Sequence, residues 1–400
     1  MNQLRIGIAG CGIAGLASAL VLARAGHQVT LFERFAEPQP IGSGLMIQPT
    51  GLAVLRELGL AETIVGEGAR IDRLHGRVGE RIVLDVRYAA LGGSTSAFGI
   101  GIHRSSLFAA LFDAVRDAGI AIETGREICG NSETCEGRSL SFADGTTSES
   151  FDLVIDALGT RSPLAPVTGR ELRYGALWAS LDWPEGGQFS GDALEQRYHR
   201  TSVMAGVLPI GQPRGAERRK AAFFWSLRAD RLNAWQVAGL ARWKHEVLEL
   251  WPACAPLLDQ IVTPDQLTFA RYAHRTLRVP AESRLLHLGD AWHSASPQLG
   301  QGANMALLDA WALGRGLDGA ANLREGLDRV VALRRRHILT YQALTAIFTP
   351  VYQSDSRFIP WLRDRLVGPL SRIWPATWIQ AAMVSGLIGN PLRPLELEAP

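Results

Sequence analysis

Cysteine is scarce in this chain: only Cys11, Cys129, Cys135 and Cys254 occur in 400 residues, and none of their spacings suits a metal. That excludes a disulfide scaffold and a cysteine-built zinc fold, and it suits a reducing compartment. Net charge is nearly absent as well, with 41 basic and 39 acidic side chains leaving +2. No long basic run occurs, and Arg334-Arg335-Arg336 reads as a solvated helix face, so nucleic acid is not an expected partner. No apolar stretch reaches the length of a membrane span. The chain enters a strand without a charged segment ahead of a longer apolar run, so no secretory signal is expected and the expected location is cytoplasmic. A protein nucleophile, a metal cluster and a Ser/His/Asp arrangement are also missing, which suits an enzyme whose difficult step belongs to a cofactor.

What is plentiful is apolar: 47% of the residues are hydrophobic, enough for two packed cores and a helical appendage. The most informative stretch is 285–313, LLHLGDAWHSASPQLGQGANMALLDAWAL. Its apolar start, 285–288, predicts a buried strand ending at Gly289. Asp290 follows where the strand stops, so its carboxylate faces a crevice and accepts hydrogen bonds from a ligand hydroxyl. Pro297, Gly300 and Gly302 predict a loop that presents backbone rather than side chains. From Ala303 the spacing of Met305, Leu308, Ala312 and Leu313 predicts a helix with one apolar face. Strand end, carboxylate, glycine loop and helix N-terminus together suit an oxygen-rich or anionic ligand. Ordinary strand-loop-helix packing does not require Asp290, Pro297, Gly300, Gln301, Gly302 and Asn304 all at once.

Near the start, residues 4–9 predict an apolar strand, followed by Gly10-Cys11-Gly12-Ile13-Ala14-Gly15. A helix over 16–25 stops at Gly26, and a second strand over 29–32 ends in Glu33-Arg34. This βαβ unit carries a dinucleotide fingerprint in its proper context. Gly10 permits the tight turn, Gly12 lets a pyrophosphate approach the backbone, Gly15 allows close helix-strand packing, and Glu33 suits adenosine ribose hydroxyls. Cys11 is a small loop residue. The segment from Ile41 to Pro49, with Gly42 and Gly44, does not look like a third strand with its helix. Two readings stay open: backbone running along an extended cofactor, or a glycine turn before a helix capped by Thr50. Farther on, a strand over 100–103 leads into Arg104-Ser105-Ser106-Leu107. Ser105 or Ser106 is the expected helix cap, leaving Arg104 at the helix mouth for a phosphate or ring carbonyl.

Between 171 and 270 the texture turns aromatic and β-branched, predicting an antiparallel sheet. Trp178, Tyr198, Met204, Phe223 and Trp225 are candidate pocket-lining side chains, although each taken singly is more simply read as sheet packing. Residues 235–250 predict one helix with Val237, Leu240, Val247 and Leu250 on its apolar side. The tail after Gly319 predicts helices interrupted by Pro360, Pro369 and Pro375 that pack across the domains and close a substrate tunnel. A second expectation for the tail is a lipophilic surface for homodimerisation or membrane contact, motivated by the apolar run 381–388. Of the two, the packing role is favoured and membrane contact is not expected.

Taken together, GCGIAG with Glu33, HRSSL around Arg104 and GDAWHSASPQLGQGAN resemble the motifs of the class A flavin-dependent aromatic hydroxylases related to para-hydroxybenzoate hydroxylase. The likeness runs in motif order through about the first 330 residues. It implies an α/β fold: a Rossmann-like FAD-binding domain, an inserted antiparallel-sheet substrate domain and a C-terminal helical segment. The expected division is 1–70, 98–170 and 271–330 for FAD, 71–97 and 171–270 for substrate, and 331–400 for the helical segment. The implied FAD-binding residues begin with Gly10, Gly12, Ala14, Gly15, Glu33 and Arg34, then Gly44, Arg104 and Ile128. They continue with Asp290 near the ribityl or ribose region and with Pro297, Gly300, Gln301, Gly302, Ala303 and Asn304 passing the isoalloxazine ring. Gln48 joins Trp178, Tyr198, Met204, Phe223 and Trp225 as implied substrate contacts. The implied reaction is insertion of one atom of O2 into a small to medium apolar, aromatic or polyketide-like substrate through a flavin C4a-hydroperoxide, with NADPH or NADH as reductant.

One motif departs. In Asp156-Ala157-Leu158-Gly159, Leu158 stands where the family's aspartate is expected, and Asp156 does not obviously replace it. Flavin binding rests on the other motifs, whereas nicotinamide handling is not carried over at this position. His293, inside the last fingerprint, is a candidate base, but holding the loop by hydrogen bonds is the preferred reading. The alternative functions are a flavin oxidase or desaturase, and a flavin-binding protein without catalysis.

Overall fold

The computed structural model describes residues 2–39, 42–92, 97–356, 358–367 and 373–398. In it Arg5–Ala9 lies between Gln28–Phe32 and Leu153–Asp156, both parallel to it. A central strand buries both faces, which is why Ile6, Ile8 and Ala9 are wholly inaccessible. Leu285–His287 and Ala121–Glu123 extend the parallel sheet on its two sides, and the short Ala281–Glu282 closes one edge as an antiparallel turn-back. The helices Ile13–Arg24 and Gly302–Leu317 pack together against this sheet through an almost continuous apolar core. The strand ends at Ala9 and His287 bring both fingerprints to one end of the sheet, where the N-termini of these two helices lie.

The second layer is a seven-stranded sheet in the order Thr268–Ala270, Tyr174–Asp182, Lys220–Arg228, Val203–Pro209, Ala193–His199, Arg73–Val78, Arg81–Arg87. Its pairings are antiparallel except that between Ala193–His199 and Arg73–Val78. One face meets Trp243, Val247 and Trp251, and the other meets Ala381 and Val384 of the helix Ala376–Val384. A three-stranded sheet of Gly44–Ile47, Gly99–His103 and Ala69–Ile71 stands between the two larger ones. Gly44–Ile47 is thus a short strand that leads directly into the helix after Gln48.

Several local expectations change. The helix after Gln48 is Pro49–Glu57, begun by proline with no side-chain cap; Thr50 is buried inside it and donates to the Ser385 carbonyl. At Arg104–Asp117 the cap is His103, whose Nδ1 accepts from the Ser105 amide at 3.1 Å. The helix expected over 235–250 is two, Leu232–Ala238 and Leu240–Leu250, because Gly239 takes a positive φ between them; Val237 is exposed. Leu323–Tyr352 is a single 30-residue helix capped by Asn322. Arg334 within it is fully buried, contrary to the solvated-face reading. Residues 381–386 are buried too, so the apolar run does not form a surface; exposed Phe358, Trp361, Trp374 and Trp378 lie before it. No helix among the described residues is long and apolar enough to cross a membrane. Ile41 and Pro369 lie outside the described residues.

Candidate functional site

Two helices point their N-termini into one cavity of about 880 Å³, and neither has a side-chain cap or an acidic residue in its first turn. Uncapped amides in that position leave positive potential and unmet donors. The glycines at the two helix starts differ in what surrounds them. A Cβ on Gly15 would lie 1.9 Å from the Gly10 carbonyl oxygen, so Gly15 serves the protein's own packing. A Cβ on Gly12 would meet nothing nearer than the Ala157 oxygen at 4.0 Å, and one on Gly302 would meet nothing within 4 Å. At these two positions the backbone is bared toward the cavity rather than toward protein.

Gly12, Ala14, Gly44, Arg104, Asp290, Pro297, Gly300, Gln301, Gly302 and Ala303 all line this cavity, as do Gln48, Trp178, Tyr198 and Met204. Asp290 is deep in the molecule yet solvent-accessible, because its side chain opens onto the cavity. Burial raises its carboxyl pKa, opposed by the charges of His293 and Arg104. Arg104 donates its backbone amide to the Ser43 carbonyl at 2.8 Å, and its exposed guanidinium rests beside Gly42.

Other expected site residues sit elsewhere. Gly10 supports the loop with φ +102. Glu33 accepts from the Cys11 amide at 3.2 Å and the Phe35 amide at 3.1 Å, tying the glycine loop to the strand end. Arg34 is exposed with its guanidinium over the Phe35 ring, and Ile128 is buried among Phe32, Leu140 and Phe142. Asn304 is a strut: its Oδ1 accepts from the Gln48 amide, and its Nδ2 donates to the Met46 and Gly300 carbonyls. With these side-chain bonds to protein, it shapes the loop. Phe223 and Trp225 face Trp243 on the far side of the sheet, and Phe224, its ring tilted against Trp178 with centroids 4.7 Å apart, takes the cavity side. Successive residues of a strand take opposite faces, so the expected Phe223 and Trp225 do not line the cavity and Phe224 does.

Behind the loop lies a network that sequence spacing does not reveal. His293 Nε2 lies 2.6 Å from Asp309 Oδ2, Asp309 Oδ1 accepts from Arg334 Nε at 2.7 Å, and the Gly289 amide donates to Asp309 at 3.0 Å. Arg334 reaches His337 Nδ1 at 3.0 Å, and His337 Nε2 meets the Gly386 carbonyl at 3.0 Å. Burial would raise the Asp309 carboxyl, but the charges of His293 and Arg334 and their hydrogen bonds prevail and hold it at about 2. Burial, then the Arg334 charge, pushes His337 down to about 3. His293 is thus tied to Asp309 of Gly302–Leu317 while it also lines the cavity.

Asp156 is likewise enclosed, bonded by His287 Nδ1 at 2.7 Å, Ser162 Oγ at 2.6 Å and the Leu158 amide at 3.1 Å. Leu158 packs with the core around Ala9 and Phe32. Neither residue lines the cavity; Ala157 between them, with Gly159 and Thr160, does.

A family described as FAD binding domain matches residues 3–338. The chain belongs to that family, among the class A flavin-dependent aromatic hydroxylases. It is 27% identical to aurachin C monooxygenase/isomerase from Stigmatella aurantiaca, over 92% of this chain and 94% of the relative. It is 26% identical to 6-hydroxynicotinate 3-monooxygenase from Pseudomonas fluorescens, over 78% and 82%. Among solved structures, tetrameric 2-methyl-3-hydroxypyridine-5-carboxylic acid oxygenase shares the fold with a TM-score of 0.79, 20% identity and 98% coverage of both chains.

FAD suits the residues present. The bare backbone at Gly12 and the uncapped helix behind it match a pyrophosphate, Asp290 offers an acceptor for sugar hydroxyls, and the helix at Gly302 faces the remainder of the cavity. Replacing Asp290 by alanine is expected to weaken FAD retention by about ten- to a hundredfold, the worth of one or two charge-assisted hydrogen bonds. Fluorescence of flavin released on dilution measures it, and unchanged retention would remove Asp290 from the site.

Proposed function

We propose that this FAD-dependent monooxygenase transfers one oxygen atom of O2 to an uncharged aromatic substrate, with NADPH or NADH supplying the electrons. The balance is substrate, O2, NAD(P)H and a proton giving hydroxylated product, NAD(P)+ and water. The observation that carries this reading is the joining, in one cavity, of two uncapped helix N-termini with the apolar face formed by Trp178, Tyr198, Met204 and Phe224. FAD, when bound, supplies the oxygen-activating redox chemistry. The chain's own part is electrostatic and steric. Free amides at the start of Gly302–Leu317 stabilise negative charge placed against them, and Arg104 adds a cation to the lining of the same cavity. The apolar sheet face excludes water from the reacting centre.

The division of labour supports the domain assignment proposed here. All seven strands of the large sheet fall within 71–97 and 171–270, facing 1–70, 98–170 and 271–330, with helices of 331–400 over the cavity. An oxidase or a non-catalytic flavin protein is not favoured, since the relatives named above are oxygenases.

The test is the visible spectrum of the FAD-loaded protein under anaerobic NADPH and then NADH, followed by an 18O2 pulse with a phenolic substrate. Bleaching of the flavin and one labelled oxygen in the product are expected. A flavin that stays oxidised with both nucleotides would exclude them as reductants, and unlabelled product with stoichiometric peroxide would replace monooxygenation by oxidation.

A further inference from the structure

The two ends of the cavity differ in kind. Among the described residues, Arg104, Asp290 and Arg271 are the lysine, arginine, aspartate and glutamate side chains that line it. Arg104 and Asp290 stand at the glycine loops, while Arg271 is exposed, with its guanidinium near the Phe269 ring. The part enclosed by Arg81–Arg87 and Ala376–Val384 therefore has, among the described residues, no charged side chain lining it with which to meet a carboxylate. It has Val83, Leu84 and Val86 on one side and Ile379, Met383 and Val384 on the other. Ile379 both lines the cavity and is 47% exposed, so this apolar end opens to the surface, in the helical segment that also exposes Trp374 and Trp378.

Neutral amides take the place of charge. Gln48, Gln301 and Gln353 all line the cavity and are at least nine-tenths buried. Each has an amide atom without a partner: Nε2 of Gln48, Oε1 of Gln301, and both atoms of Gln353. Gln48 is fixed by its own partners, since Oε1 accepts from Tyr88 at 2.5 Å and its backbone amide donates to Asn304. Its Nε2 lies 3.5 Å from where a Cβ on Gly300 would stand, beside the loop assigned to the flavin. A fixed, buried and unpartnered donor is costly to leave unmet, which makes it a recognition element for an oxygen on the ligand.

We infer that the cavity takes an uncharged aromatic carrying a long apolar chain, with a ring oxygen on Gln48 Nε2 and the chain lying between Val83/Val86 and Ile379/Met383. This rests on the reading of the cavity as the substrate site of an FAD enzyme, and it specifies the substrate class. A small anionic benzoate would find no countercharge between Val83/Val86 and Ile379/Met383 and would leave the apolar slot unfilled. Each methylene entering the slot should tighten binding by about fourfold.

The test titrates the FAD-loaded protein with 4-alkylphenols from methyl to nonyl, with the matching alkylbenzenes and with 4-hydroxybenzoate, following flavin absorbance and calorimetric heat. The expected result is a rise of about fourfold per methylene until the chain reaches Ile379, alkylbenzenes weaker by about tenfold, and the benzoate weakest of all. Ile379→Glu, at a half-exposed position that tolerates charge, and Met383→Trp should each flatten the dependence on chain length. Affinity independent of chain length, tighter binding of the benzoate, or an unaltered dependence in both variants would overturn the inference. Failure of the protein to hold FAD would overturn the cofactor reading and this one with it, whereas affinity independent of chain length in FAD-loaded protein would overturn this one alone.

Discussion

Replacing Gly12 by valine is expected to leave the protein folded while lowering its affinity for FAD by at least about a hundredfold. The fold should tolerate the change because Gly12 has φ −76 and ψ −177, an extended conformation open to any residue. A Cβ there would have no protein atom closer than 4.0 Å. Binding should not tolerate it, since the side chain would occupy the approach of a pyrophosphate to the amides at the head of Ile13–Arg24, where charge-assisted bonds are worth about 1.5–3 kcal/mol each. Gly15→Ala is the instructive contrast: its Cβ would fall 1.9 Å from the Gly10 oxygen, so the loop itself must move and stability should fall with binding. Thermal unfolding of the apoproteins, paired with quenching of FAD fluorescence, separates the two effects. A Gly12→Val protein that retains FAD normally would show that the glycine loop does not hold the cofactor.

Asp309→Ala should destabilise the protein by about 3–5 kcal/mol, the usual cost of removing one partner from a buried ion pair. Arg334 is wholly inaccessible, and without Asp309 its charge would be left without a counterion, with the Gly289 amide and His293 also losing their acceptor. The double variant Asp309→Leu/Arg334→Met should recover much of the loss, because it leaves no charge stranded. Denaturant unfolding of the two single variants and the double measures this, and additive losses would deny the coupling.

The same network makes stability fall toward acid. Asp309 sits at about 2 when folded against 3.8 as its ordinary value, so its contribution, on the order of 2 kcal/mol, is complete above 3.8 and is lost as pH falls through 2. His337 acts at higher pH. With its folded value pushed down to about 3 from 6.5, the unfolded chain takes up a proton that the folded one refuses, and stability declines as pH falls from 6.5 toward 3. Above 6.5 neither state is protonated there and the dependence ends. His337→Asn should flatten the unfolding midpoint between about pH 5 and pH 6.5; an unchanged slope would show that other groups set it.

The FAD fingerprint was legible from the chain because its meaning is local. A strand, Gly10 to Gly15 and a helix are consecutive, and their covalent order alone puts bare amides at a helix N-terminus. The same holds for Asp290 and the Pro297–Gly302 loop, which follow a strand and precede a helix. Aromatic and β-branched composition announced the large sheet but not which residues of a strand faced the cavity. That was settled by the helix Leu240–Leu250 claiming Phe223 and Trp225, leaving Phe224 for the ligand side. Asn304 read as a ligand residue, and the backbone of Gln48, 256 positions away, takes its carbonyl oxygen. Arg334 looked solvated because its neighbours in sequence are arginines, and only packing against Gly302–Leu317 buried it on Asp309. Residues close in sequence carry their geometry with them, whereas burial of a face and satisfaction of a buried polar atom depend on partners that only the folded chain supplies.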